Sequence, residues 1–166
     1  MHTQLEQFLY QAEDRYLSSQ EINQYSDCIS NLERSLTAYK RLRDQEMHIF
    51  HIIADEVQNE HPHEDSIDLG ESILQWMSLL RYCSMAMLMS NIDYLDQQLN
   101  GWFKEIVQMR KVQFLDRLIF ETLNEVVLEV LSKDLVPAIQ PYLQRLDESL
   151  FANSSQSLLS NRLYVQ

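Results

Sequence analysis

Glycine and proline are scarce in this chain: two of the first and three of the second in 166 residues. Glycine supplies the left-handed backbone of tight turns, and proline interrupts helices and strand ladders. Their scarcity argues against a turn-rich β architecture and for long helices with few connections. Basic residues are also short, with 13 Lys and Arg against 25 Asp and Glu, a net charge of -12. A surface of that sign repels phosphate backbones and anionic lipid, so neither nucleic acid nor a membrane surface is an expected partner. Cysteine is limited to Cys28 and Cys83, far apart and each inside a helical pattern. Two such thiols make no disulfide framework and fit a reducing compartment. Met1-His2-Thr3-Gln4 lacks a basic stretch leading into an apolar run, so no secretory leader is expected. The most apolar window, Ile73 to Met89, is interrupted by Gln75, Ser78, Arg81 and Ser84. It reads as a buried helix and not as a membrane span.

Several chemistries lack their residues. There is no Gly-rich phosphate loop, nucleophile elbow or zinc-type cysteine pattern, and no enzyme is expected. From Glu64 onward there is no histidine, which leaves haem without an axial ligand from the later helices. Asp44, His48, His51 and Asp55 recur at spacings of four, three and four. Ligands along one straight helix cannot enclose a metal, so this stripe reads as the solvated face opposite Phe50, Ile53 and Val57. Glu60 and His63 have the Glu-x-x-His spacing of a di-iron bundle, but Pro62 sits between them and no second motif exists. No metal site is expected.

What the chain does have is helical periodicity. Thr3 with Glu6, and Ser18 with Glu21, fit capping boxes that satisfy the free amides of a helix start. Ile22, Tyr25, Ile29, Leu32 and Leu36 follow at spacings of three and four, then Met47, Phe50, Ile53, Ala54 and Val57. This pattern runs to about Asn59, with a bend or break expected near Arg41-Leu42. His61-Pro62-His63-Glu64-Asp65 stops it. The next helix begins between Ser66 and Ser72 and runs to about Ser90. Asn91 caps another, carrying Leu95, Leu99, Trp102, Phe103 and Ile106. A further one spans Gln113 to Ser132. Asp134 is the expected N-cap of the last, with Pro137 in its first turn and a kink at Pro141. From Phe151 the sequence turns to Ala-Asn-Ser-Ser-Gln-Ser, read as a flexible tail over 151–166 behind one domain over 1–150. The fold class is all-α, with about seven or eight helices packed ridges into grooves.

Arg15-Tyr16-Leu17-Ser18-Ser19-Gln20-Glu21-Ile22, Leu80-Arg81-Tyr82, Leu95-Asp96 and Leu99-Asn100-Gly101 together carry a family likeness. From about residue 3 to residue 150 the chain resembles a phycobiliprotein subunit of the phycocyanin and allophycocyanin kind. The resemblance implies a globin-like helical body and an N-terminal helical hairpin that grips a partner. It also implies a cytoplasmic setting, at the thylakoid face through the antenna. It further implies that Arg81 pairs across a subunit interface with an acid near the first helix break, with Tyr16 beside them. Glu13 and Asp14 both fit the acid, because the segment before Arg15 is about two residues short. Such a guanidinium–carboxylate pair fixes register between subunits. The alternative is that Arg81 satisfies a carboxylate of its own chain.

The same resemblance places a bilin-attachment cysteine nine residues before the arginine. An arginine for a propionate and an aspartate for the pyrrole N–H groups would follow. Here those positions hold Ser72, Leu74 and Gln75. A serine hydroxyl is a far poorer nucleophile than a thiolate, and leucine cannot pair a carboxylate. A covalent bilin is therefore not expected. Cys83 lies eleven residues past Ser72 on the same helix face, roughly 16 Å along, in an apolar segment that suits an inert thiol. The resemblance then implies a non-pigmented partner of phycobiliprotein subunits or linkers, a homo- or heterodimer acting in assembly, capping or remodelling of the antenna. The alternative is a sensor or binding protein that holds a tetrapyrrole or carotenoid without a covalent bond, in an emptied pocket near Leu74 and Trp76.

Overall fold

The computed structural model describes residues 2–62, 66–103 and 113–160. These residues form α1 (His2–Asp14), α2 (Ser19–Glu60), α3 (Ser66–Met89), α4 (Ile92–Gln98), a π-helical turn (Leu99–Phe103), α5 (Gln113–Val130) and α6 (Val136–Ser160), and no strand. The all-α class is as expected; the described residues hold six α-helices, where the sequence suggested seven or eight for the chain. One reason is α2, which runs unbroken for 42 residues through Arg41-Leu42. It contains no glycine or proline, and Leu42 continues its buried face. At 1.5 Å per residue this rod is about 63 Å long.

Only part of α2 lies in the body of the protein. Its buried residues begin at Ser35 and continue through Ala38, Leu42, Ile49, Phe50, Ile53 and Val57. The earlier half reaches beyond the core and packs on α1, where Phe8 meets Tyr25 edge to face with ring centroids 6.0 Å apart. The core itself gathers α2, α3, α5 and α6 around Trp76, Leu79, Cys83, Met87, Ile119, Leu123, Val127 and Ile139.

Caps set the corners. Ser18 accepts from the Glu21 amide, and Glu21 accepts from the Ser18 amide at 2.8 Å, the capping box read from the sequence. Asn91 Oδ1 accepts from the Tyr94 amide at 3.2 Å and starts α4. At the end of α3, Ser90 adopts φ 50. Its amide donates to the Met87 carbonyl and the Asn91 amide to that of Ala86, at 3.0 and 2.9 Å, which is a Schellman ending built without glycine.

Two later boundaries depart from the sequence reading. The helix after Asn91 is not continuous: α4 ends at Gln98, and the π-helical turn that follows is kinked at Gly101. Ile106, assigned to the same helix, lies outside the described residues. The last helix opens at Val136 and not directly after Asp134. Between them the Ser132 carbonyl accepts from the Leu135 and Val136 amides at 2.8 and 3.2 Å. Asp134 is held below its ordinary carboxylate range first by a hydrogen bond with Ser132, so its side chain serves this turn. Helix α6 contains Pro141 and continues past residue 151 to Ser160, with Phe151 buried; residues 161–166 of the expected tail lie outside the described residues.

Candidate functional site

Arg81 lies on the exposed face of α3, and its guanidinium grips a carboxylate of its own chain. Nε and Nη2 donate to Oε1 and Oε2 of Glu46 on α2 at 2.7 and 2.6 Å. The Glu46 side chain is mostly covered, at 16 % exposure against 61 % for Arg81. The hydrogen bonds and charge of Glu46 hold Arg81 above its already high ordinary pKa. Beside this pair is a groove of about 320 Å³, walled by Tyr39, Leu42 and Arg43 of α2, Leu80, Tyr82 and Met85 of α3, and Tyr94 of α4. Its lining is apolar, with three phenols and two guanidinium groups among the wall residues. Such a groove suits an amphipathic segment better than a free polar solute.

The other three residues assigned to an interface sit at the tip of the helical hairpin. Glu13 and Asp14 are exposed at the end of α1, and Tyr16 is 99 % exposed in the connection to α2. The connection is rigidly built: Arg15 donates to both carboxylate oxygens of Glu21, at 2.9 and 2.5 Å. Its hydrogen bonds, followed by those from Ser18, lower the Glu21 carboxyl to about 2. The tip thus presents two acids and a phenol on a fixed corner. Among the described residues, neither Glu13 nor Asp14 is joined to Arg81 within the chain, which is occupied by Glu46.

The positions matched to pigment attachment do not converge. Ser72 is fully buried in α3, whereas Leu74 is 65 % exposed. Two residues along a helix turn through about 200°, so the two side chains leave opposite sides. Gln75 returns to the flank of Ser72 and is half-buried. No thiol or cation stands at these positions, so they do not fit a thioether-linked bilin with a paired propionate. Trp76, the other residue placed near an emptied pocket, is core. Its indole N–H donates to Asp116 Oδ1 at 3.0 Å, and its ring stacks within 8° of the plane of Phe151. Cys83 is also buried, its thiol 3.8 Å from the Tyr142 carbonyl and its pKa pushed up by burial. Cys28 is half-buried at the groove between α1 and α2.

A family model described as "Phycobilisome protein" matches residues 9–150. The chain belongs to the phycobilisome protein family. The match takes in the tip of the hairpin, the Arg81 groove and most of α6, so both candidate surfaces lie within the shared region. The family is a light-harvesting one whose members associate with other subunits, and it is not a family of enzymes. No curated protein matches the chain. Among the described residues, no helix of this phycobilisome-family protein is long and apolar enough to cross a membrane, and no cluster of His, Cys, Asp and Glu is placed to hold a metal.

Sequence reasoning missed Glu46, and with it the groove. The signal was present: Tyr39, Arg43 and Glu46 continue the spacing of four and three that begins at Ile22. It also missed that Asp96 takes a two-pronged ion pair from Arg145, at 2.8 and 2.9 Å, tying α4 to α6. That partner is 49 residues away in the chain, beyond the reach of any local pattern.

Proposed function

We propose that this phycobilisome-family protein works without a covalently attached bilin, as an association partner of phycobilisome subunits or linkers in assembling, capping or remodelling the antenna. The observation that carries the reading is the pair of uncovered surfaces. One is the hairpin tip with Glu13, Asp14 and Tyr16; the other is the groove beside Arg81. Acid at one and guanidinium at the other are what complementary subunits use to set register. The absence of a thiol at residues 72, 74 and 75, and the burial of Cys83, support the pigment-free part.

The test is to purify the tagged chain from a bilin-making host and record its visible absorption, its intact mass and its companions. The expected result is a colourless protein of sequence mass that brings down phycobilisome subunits or linkers. Its Arg81→Glu variant should be folded yet lose them. A visible band with added mass would overturn the pigment-free part. A protein that recovers no antenna component would overturn the association.

A further inference from the structure

The groove beside Arg81 holds one reactive group that docking alone does not use, the thioether of Met85. Helix α3 carries Met77, Met85, Met87 and Met89. Met87 is fully buried, Met77 and Met89 are half-buried, and Met85 is 38 % exposed in the groove wall. Met47 on α2 is more exposed, at 73 %, but does not line the groove. A methionine on an apolar wall packs as a flexible hydrophobe, and one that reaches solvent is open to oxidants dissolved there.

The walls around that side chain supply donors without acceptors. Tyr39, Tyr82 and Tyr94 line the same groove and are half-buried. Among the described residues, none of their hydroxyls has a hydrogen-bond partner in the chain. Arg81 stands one turn before Met85 on the same side of α3, with its fork closed on Glu46. A thioether is a weak acceptor and leaves the phenols to water. A sulfoxide oxygen carries much of a negative charge and accepts readily from a phenol or a guanidinium. Gaining it turns a flexible apolar side chain into a polar one. The wall that receives an apolar partner surface then holds a hydrated dipole, whose water is lost on docking without an equivalent in return.

We infer that Met85 is an oxidative modification site, and that its conversion to the sulfoxide by hydrogen peroxide makes the groove wall polar and blocks docking. This rests on the reading of the groove as an association surface and names a regulation of it. In the reaction a sulfur lone pair attacks one peroxide oxygen, and the S–O bond forms as the O–O bond breaks. The departing hydroxide takes the proton from the new S–OH and leaves as water. Sulfur is oxidised by two electrons and the peroxide is reduced by two. A partner seated in the groove covers Met85, so the reaction belongs to the unpartnered chain.

The test treats the purified full chain with hydrogen peroxide before it meets the antenna subunits and linkers that co-purify with the untreated chain. Peptide mass mapping reads the added oxygen at each methionine, and circular dichroism reads helix content. Met85 and Met47 should gain an oxygen, and Met87 should not. Recovery of antenna components should fall at least about fivefold at unchanged helix content. A Met85→Leu chain, apolar and of similar volume, should keep its recovery after peroxide, whereas Met47→Leu should lose it as the parent does. Met85→Gln should lose it without peroxide. Methionine sulfoxide reductases for both epimers, with a dithiol that becomes a disulfide as the oxygen leaves as water, should restore the parent. Oxidation of Met47 with Met85 untouched overturns the inference, and so does recovery indifferent to Met85 sulfoxide. An untreated chain that recovers no antenna component overturns the association reading itself, and the inference with it.

Discussion

Arg81 and Glu46 close a two-pronged ion pair between α3 and α2, with N–O distances of 2.7 and 2.6 Å, on the rim of the protein's apolar groove. The arginine that the family resemblance assigns to a partner's acid is thus already satisfied at home. Any incoming carboxylate competes with Glu46 for a fixed fork of donors. Glu46 is the more covered of the two, so it defines where the guanidinium points.

The pair's contribution to folding is small. A partly exposed ion pair is worth up to about 1 kcal/mol, because solvent screens it and two long side chains must be ordered. Arg81→Ala is therefore expected to lower unfolding free energy by no more than about that amount in a urea titration. Its loss of partner binding, read by co-purification, should be much the larger effect. A loss of several kcal/mol in the urea experiment would make Arg81 a structural residue.

Trp76 and Asp116 are the costlier pair to disturb. Both are about 1 % exposed, and the indole donates to a carboxylate oxygen in the core. Trp76→Phe keeps an aromatic ring against Phe120 and Phe151 but removes the donor and leaves a void. A buried hydrogen bond is worth about 0.5–1.5 kcal/mol net, and taking the indole donor away from the Asp116 oxygen it faces adds about 1–3 kcal/mol of desolvation. The expected loss is about 2–4 kcal/mol, read as a lower urea midpoint at unchanged slope.

How much of this was legible in the sequence follows the distance over which each feature acts. Ser18 with Glu21, and Asn91, act within one turn, so their residue types alone located two helix starts. The apolar row from Ile22 to Leu36 was legible as periodicity, but not its exposure, because the same spacing serves a buried stripe equally well. Trp76 was assigned to a pocket on its proximity to Leu74, yet adjacent helix positions point to different sides, and only the packing of α5 and α6 decides which is core. The end of α3 at about Ser90 was legible, but not its left-handed backbone, which serine carries in place of the usual glycine.

The hairpin corner has a pH signature with a definite sign. Arg15, then Ser18, lower Glu21 from 4.5 to about 2. A depressed carboxyl stabilises the folded corner fully above its unfolded value and loses that contribution as pH falls through the folded value. The window is therefore from about 4.5 down to about 2. Titration of the Glu21 carboxyl by NMR should show a midpoint well below that of an exposed glutamate. Amide exchange at the start of α2 should stay slow at pH 4 in the wild type and quicken in Arg15→Gln. A Glu21 midpoint near 4.5 would remove the clamp from the account of the hairpin.

The two thiols should separate cleanly by reactivity, and that separation bears on whether either can carry a pigment. Thioether formation and alkylation both proceed through the thiolate. Burial pushes the Cys83 thiol far above the neutral range, and its Sγ lies 3.8 Å from the Tyr142 carbonyl, a neighbour that stabilises the protonated form. Cys28 is half-buried beside the α1–α2 groove and within reach of solvent. At pH 8 a maleimide is expected to label Cys28 in the native protein and to leave Cys83 untouched until denaturant unfolds the core, as peptide mass mapping would show. Rapid native labelling of Cys83 would mean that α3 and α6 open readily at that point. The buried thiol would then regain standing as an attachment site, and the pigment-free reading would lose one of its two supports.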